Sequence, residues 1–520
     1  MNYGKYFRKV NNMIMKRITS NVLPLIGVML SLCAVSPMSA MEPFAEPVTT
    51  EIDANSSIEQ IRDELKTMDV YVLDFNLQDG SFPTFDVVTP PEGCNGLSIT
   101  NNEYVTGSLN VSFKGAEIYN SGEWRKKLSG VKVKARGNTS TAQDWIQKKG
   151  YKIKLEKKAD LLFRDDDDVK DKEWVLLGQS SSVLNFVSGF QLGRVCGLGW
   201  QSEIRHVAVI MNDRYMGCYY LAEAVAAGKH KVDIEDSGYI VENDAYWWKP
   251  DEVYFKTNHQ LDEMGWTFKE PDTDDFDEMS LDNIKWTINT VEKNLYNGEN
   301  VEEMIDYDSF ARWVLAQDIM CTADPCGTNI FVKKNDFNPL SPFGSKLQMG
   351  PLWDFDGCFT ENSDDFSKIH TYDVFWFRSL FEKDDFSSLY SELWREIRTD
   401  LKRDLTAGVE DYIIKNPDYY KMLLIDDKRG LLNAPLVTPY DAYNSLCDWL
   451  DKRIPILNKL ILGEESGVEN LKDYDENNET CGLSSKAGLY YTVDGLQSTP
   501  DAEGILIHVD SNGKTTKIKK

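Results

Sequence analysis

The hydrophobic rhythm of this chain changes once, and that change constrains the fold more than any other feature. From Asp69 onward, apolar and polar residues alternate in short runs bounded by Gly, Asn and Pro: VYVLDF, PTFDVV, SLNVSF, VKVKARG, YKIKLE, EWVLLG, HVAVIMN, CYYLAE, GYIVEND and EVYFKT. A period of two places every second side chain on one face, the mark of half-buried strands. One stretch of helical spacing, SVLNFVSGFQLGRVC at 182–196, interrupts them. Near Leu281 the period lengthens. LDNIKWTINTVEKNL, YDSFARWVLAQDIM (capped by Asp308 or Ser309), SSLYSELWREIRTDLKRDL and DAYNSLCDWLDKRIPILNKLI read as amphipathic helices. Among these helices lies one strand–turn–strand: NIFVKK, the turn FNPLSPFG, then KLQMGPLWDFDG. Strands first and helices second predict an α+β fold.

The ends carry other signals. A basic stretch closes at Lys16-Arg17, an apolar run follows from Val22 to Val35, and small residues lead to Met38-Ser39-Ala40. This is the plan of a secretory signal, with an apolar part too short to span a bilayer. Leu32 precedes Cys33 where lipidation wants a small residue. The expected organisation is a signal peptide at 1–40, a linker at 41–68 with one short helix-like stretch around Ile58–Met68, and a β-rich lobe at 69–290. A helical lobe holding the hairpin follows at 291–463, then an acidic linker at 464–480 and a small β tail at 481–520. The mature chain is expected in the periplasm, at the cell surface or outside the cell, with no transmembrane span after signal removal.

Charge narrows the partners. Lys and Arg number 57 against 84 Asp and Glu, a formal charge of −27. Such a body is repelled by nucleic acid. Cys321 and Cys326 form a C-x4-C with no second pair, and the five His residues are scattered without an H-E-x-x-H, so zinc chemistry is disfavoured. No G-x-S-x-G elbow supports a hydrolase triad. Trp247-Trp248 reads as rim or core packing.

The hairpin is where chemistry concentrates. Asp324 precedes Asn329 by five positions in ADPCGTN, and Asn329 opens NIFVKK. The chain returns along KLQMGPLW and delivers Asp354 and Asp356 beyond the end of that strand. Strands joined by a tight connection lie side by side, so Asp324, Asn329, Asp354 and Asp356 should converge within about 10 Å. Carboxylates with one amide oxygen suit a hard cation such as Mg²⁺. Kinases need this kind of set, with cations facing the nucleotide phosphates. In YKIKL, Lys152 and Lys154 share one strand face, and Arg136 ends the strand before Gly137-Asn138. Glu223, at the end of CYYLAE, is a candidate partner for one of these cations.

Several strings together resemble the spore coat protein H (CotH) kinase family, in a secreted form of the Bacteroidota type: KARGNTS at 134–140, KKGYKIKLEKK at 148–158, DKEWVLLG at 171–178, VAVIMNDRYMGCYYLAEAV at 207–225, GYIVEND at 238–244, DPCGTNIFVKK at 324–334, GPLWDFDG at 350–357 and CDWLDKRIPILNKLI at 447–461. The resemblance runs over roughly 70–463. It implies an atypical protein-kinase-like fold that transfers the ATP γ-phosphate to Ser or Thr of protein substrates, with Mg²⁺ or Mn²⁺. By position, Asp324 resembles the catalytic carboxylate, Asn329 and Asp354 the metal ligands with Asp356 a second acidic neighbour. Arg136, Lys152 or Lys154, and Glu223 resemble the nucleotide-side group. After EWVLLG the chain departs from the family: GQSSSVLNF is short, and Leu184 precedes Asn185 where Arg is expected. Losing that cation favours the alternative of a catalytically inactive pseudokinase serving as a surface structural or binding module. The terminal strings YYTVDG and EGILIHVDSNGKTTKIKK are similar to β tails that direct type IX secretion.

Overall fold

A computed structural model describes residues 48–464, apart from short stretches of which 272–277, 323–328 and 361–366 are the longest, and four strands within 489–519. The expected signal at 1–40 with Cys33, the catalytic candidate Asp324, positions 179–182 of the shortened segment and the acidic linker beyond 464 lie outside the described residues.

The first element is helix α1 (Ile58–Leu65), eight residues long. Length alone would leave it marginal. Ser57 and Gln60 close a capping box at its start, Ile61 and Leu65 are buried, and Arg62 reaches Asp74 at 2.6 Å. This part of 41–68, expected as linker, is therefore docked on the folded body.

Strand β1 (Tyr71–Leu77) leads into a short ribbon of β2 (Val87–Val88) and β3 (Ser98–Ile99), then β4 (Val105–Phe113), β5 (Ala116–Asn120), β6 (Val131–Arg136), β7 (Gly150–Ala159) and β8 (Asp171–Gly178). Helix α2 (Asn185–Val195) interrupts, and β9 (Ile204–Met211) and β10 (Arg214–Glu223) follow. The eight-stranded sheet runs β1-β9-β10-β8-β7-β6-β4-β5 and closes on itself because β4 also pairs with β1. The parallel step is β1 against β9, with Tyr71 opposite Val207. Alternation fills this barrel: Val131, Val133 and Ala135 of β6 and Tyr151, Ile153 and Leu155 of β7 are buried, while the intervening Lys and Arg point outward. Lys134 stands opposite Lys152 and Arg136 opposite Gly150, so the cations of two strands share one outer face.

A second sheet contains β11 (Tyr239–Asp244), β12 (Tyr254–Phe255), β13 (Gly265–Glu270), β14 (Ile330–Lys334) and β15 (Leu347–Met349), ordered β12-β13-β11-β14-β15 and antiparallel throughout. The expected hairpin is thus β14–β15, but it extends a sheet begun in the strand-rich half. The helices are α3 (Glu278–Tyr296), α4 (Tyr307–Met320), α5 (Phe377–Phe381), α6 (Asp384–Ile397), α7 (Leu401–Lys415), α8 (Tyr419–Lys428) and α9 (Pro439–Leu462). The expected boundary at 290 falls inside α3. Asp306 caps α4, accepting from the Ser309 amide, so the cap lies ahead of Asp308 and Ser309. The architecture is mixed α+β, with a β-rich N-terminal region and a helical C-terminal region. Near the C-terminus, β16 (Leu489–Thr492), β17 (Gln497–Ser498), β18 (Ile505–Val509) and β19 (Thr515–Lys519) form a four-stranded antiparallel sheet. Among the described residues, no helix is long and apolar enough to cross a membrane.

Candidate active site

A cleft of about 280 Å³ separates the outer face of β6 and β7 from the second sheet. Lys134, Arg136 and Lys152 line the barrel wall; Glu242, Asp244, Lys269 and Asn329 line the other. Trp353, Lys249 and Glu252 are also among the lining residues.

The β14–β15 register brings Asn329, on the cleft wall, toward Asp354. Val332 pairs with Met349, and the Gly350 amide donates to the Phe331 carbonyl at 2.7 Å, carrying the pairing one step further. Asn329 and Asp354 therefore meet where the two strands open out. The Asn329 Nδ2 donates to Asp354 Oδ2 at 3.2 Å, and its backbone N–H donates to Glu242 Oε1 at 2.9 Å. Both residues have left-handed backbone, with φ of 67° and 64°, a conformation that short polar side chains tolerate best. Beyond the sheet, Trp353 and Phe355 turn inward while Asp354 and Asp356 face solvent. The protein surrounding Asp356 and the charge of Asp354 push its carboxyl up to about 7. The Phe359 amide donates to the Met320 carbonyl at 2.8 Å, so the end of α4, from which the chain runs on to Asp324, lies against this loop.

Helix α2 seats the loop. Asn185 Nδ2 donates to the Phe355 and Cys358 carbonyls at 3.1 and 2.9 Å. The Phe355 ring meets Phe186 and Phe190 edge-on, with centroids 5.8 and 4.8 Å away, and Phe190 also packs on Trp353. Gly189 leaves room for that ring: a Cβ there would lie 2.1 Å from Phe355 Cδ1. On the cleft side, the Arg136 guanidinium sits 5.6 Å over the Trp353 ring. Burial lowers its pKa, while the negative charges of Asp354 and Glu242 act in the opposite direction. Leu184, where the family resemblance expects Arg, is 3% exposed within the core and supplies no cation.

The lysine pair has an unexpected partner. Lys152 and Lys154 each reach Glu173 at 2.8 Å. Burial alone would raise the Glu173 carboxyl, but the two lysines hold it at about 2. Glu223 does not join them. It is buried on β10, pairs with Arg164 at 3.1 Å and accepts from the Glu203 amide at 3.2 Å. Lys154 stands opposite Glu173 in the ladder, so the strand beside β7 supplies the counter-charge, whereas Glu223 sits one strand further round. Sequence reasoning passed over Glu173, Glu242 and Lys269, which pairs with Glu242 at 2.6 Å. The alternation in DKEWVLLG and GYIVEND held the signal, but only the pairing of β8 with β7 and of β11 with β14 makes it readable. Asp244, buried beside Glu242, is raised to about 6, chiefly by burial and then by that neighbouring charge.

Among the described residues no three His, Cys, Asp or Glu side chains gather at one point. The described donors for a cation are the Asn329 amide oxygen and the Asp354 and Asp356 carboxylates. These hard oxygens fit Mg²⁺ or Mn²⁺.

Fold and cleft together define an α+β protein whose cleft is lined by charges of both signs, with Lys134, Arg136 and Lys152 on the barrel wall and Glu242, Asp244 and Lys269 across from them. The CotH kinase protein family model matches residues 133–453, from within β6 to within α9, and the chain belongs to that family. The match includes both cleft walls. No curated relative matches closely enough to add to this.

Proposed function

We propose that the chain is an exported atypical protein kinase that transfers the γ-phosphate of ATP to Ser or Thr of extracytoplasmic proteins, with the barrel region as the nucleotide-side lobe and the helical region as its partner. The observation that carries this reading is the Asn329–Asp354 contact, with the charges of Asp354 and Arg136 facing each other beside the lysine-bearing wall. Asn329, Asp354 and Asp356 would hold Mg²⁺ or Mn²⁺, which when bound neutralises charge on the nucleotide phosphates. Arg136 and Lys152 offer cations toward the phosphates, and Glu173 of the neighbouring strand pairs with both Lys152 and Lys154. Asp324 orients the acceptor hydroxyl and takes its proton. The acceptor oxygen bonds to the γ-phosphorus as the bridging oxygen leaves with its electron pair on ADP.

Asp354→Asn tests the assignment. The variant should unfold at the wild-type temperature yet lose transfer of labelled phosphate from ATP to protein; equal labelling by both proteins refutes the role.

The buried Leu184 favours a second reading, an inactive member of the family that keeps the fold as a surface structural or binding module. Thermal unfolding with ATP and Mg²⁺ separates the two. A nucleotide at 100 times its Kd adds about 2.7 kcal/mol, whereas absence of any shift favours the module.

A further inference from the structure

We propose that a groove at the α7–α8 corner, separate from the cleft, is a second ligand site that takes a small organic anion with an aromatic body. Two adjoining cavities of about 500 and 380 Å³ share Arg205, Lys415 and Asn416. The first lies against α2 and α7; the second reaches inward toward β1 and the start of α8.

Arg205 is the anchor. It projects from β9, its guanidinium lies 4.4 Å over the Tyr71 ring, and it makes no ion pair with a described residue. A stacked guanidinium keeps its donor fork oriented, and such a fork matches a carboxylate or a phosphate. Lys415 adds a second cation, held at 2.7 Å by Asp411, a pair open to solvent and easily exchanged. Glu203 and Asp69 also touch the groove, but they are engaged by Arg164 and Lys114 respectively.

The inner compartment suits the rest of such a ligand. Tyr71, Phe113 and Tyr419 line it, the first two with ring centroids 4.8 Å apart. His206 lines it as well, only 2% exposed. Its Nδ1 is 2.8 Å from the Tyr412 hydroxyl, while Nε2 has no hydrogen-bond partner. Burial, with the charge of Lys148 nearby, keeps the imidazole neutral. A buried nitrogen left unmatched is costly, and this one lies in a residue of the compartment wall.

Calorimetric titration of the full chain with phenyl phosphate, benzoate and inorganic phosphate tests the site. Phenyl phosphate or benzoate should bind at one site in wild type and equally in Asp354→Asn, with at least about tenfold loss, or roughly 1.4 kcal/mol, in Arg205→Gln. Which of the two binds identifies the head group. Lys415→Glu, on the exposed rim, provides an independent charge reversal should Arg205→Gln melt early, and it too should weaken binding. Wild-type affinity in Arg205→Gln or Lys415→Glu overturns the proposal. So does loss in Asp354→Asn alone, which would place the ligand in the cleft. Equal affinity for inorganic and phenyl phosphate overturns the aromatic compartment, and no binding of either aryl anion at about 10 mM overturns the site.

Discussion

Gly189→Ala probes how α2 holds the Asp354 loop. The added methyl would stand 2.1 Å from Phe355 Cδ1, 2.3 Å from Cε1 and 2.5 Å from Cγ. Carbon atoms rest about 3.5–4.0 Å apart, so the ring must retreat by about 1.4 Å or more. It has little space to do so, being fully buried with Phe186 and Phe190 against it. Overpacking of this kind costs about 1–3 kcal/mol. Loosening the two Asn185 hydrogen bonds adds about 1 kcal/mol each at most. Against this, alanine improves a helix interior by about 1 kcal/mol. The net expectation is a loss of about 2 kcal/mol in urea unfolding, the centre of a span of about 0–4. Asp354 lies between Trp353 and Phe355 in the chain, and displacement by about 1 Å can cost a hundredfold in rate, so phosphate transfer should fall further than stability does. Phe355→Leu, combined with Gly189→Ala, should recover part of the loss and give a coupling of about 1 kcal/mol or more. A Gly189→Ala protein as stable as wild type, or a strictly additive double mutant, would refute the seating role of this contact.

Two further perturbations read the body of the protein. Glu292 is 3% exposed, and burial raises its carboxyl from 4.5 to about 7; the native state therefore holds an extra proton between those values, and its stabilisation is full below that window and lost as pH rises through 7. Glu292→Gln, which keeps an acceptor for the Trp376 Nε1 donor now at 3.2 Å, should remove this slope, so wild type loses roughly 2–3 kcal/mol more than the variant between about pH 5 and 8; parallel stability profiles for the two proteins would rule the effect out. Lys148 and Asp426 pair at 2.8 Å with both side chains wholly buried, and Asp426 also accepts from Tyr215 and the Cys218 amide; Lys148→Met should cost about 3–5 kcal/mol, while the Lys148→Met/Asp426→Leu pair should be more stable than the single variant in urea, and the reverse order would be inconsistent with an uncompensated buried carboxylate.

The change from strands to helices was legible because each period exposes a face that must be covered. The meeting of Asn329 and Asp354 was legible for a simpler reason: FNPLSPFG permits a hairpin, and a hairpin fixes which residues end up adjacent. Closure of the barrel was not, since β1 finds β9 across most of the strand-rich half and no local pattern encodes a parallel partner. Glu173 escaped for a related reason. Its assignment to the lysines depends on the β7–β8 register, where Lys154 faces Glu173, and one slip would turn it to the other face. Helix α1 was legible as the short helix-like stretch around Ile58–Met68, but its docking was not, because that rests on a capping box and two buried side chains rather than on a long apolar stripe.

The parallel seam of the barrel also sets an order of events during synthesis. One edge of β1 can be satisfied early by β4, but its other edge waits for residues 207–211. At about 5–20 residues per second, the ribosome needs roughly 7–27 seconds after finishing β1 to supply them. Until then the nascent chain presents an open hydrogen-bonding edge to any passing strand, so chaperone dependence should centre on this interval, before any helix beyond α2 has been made.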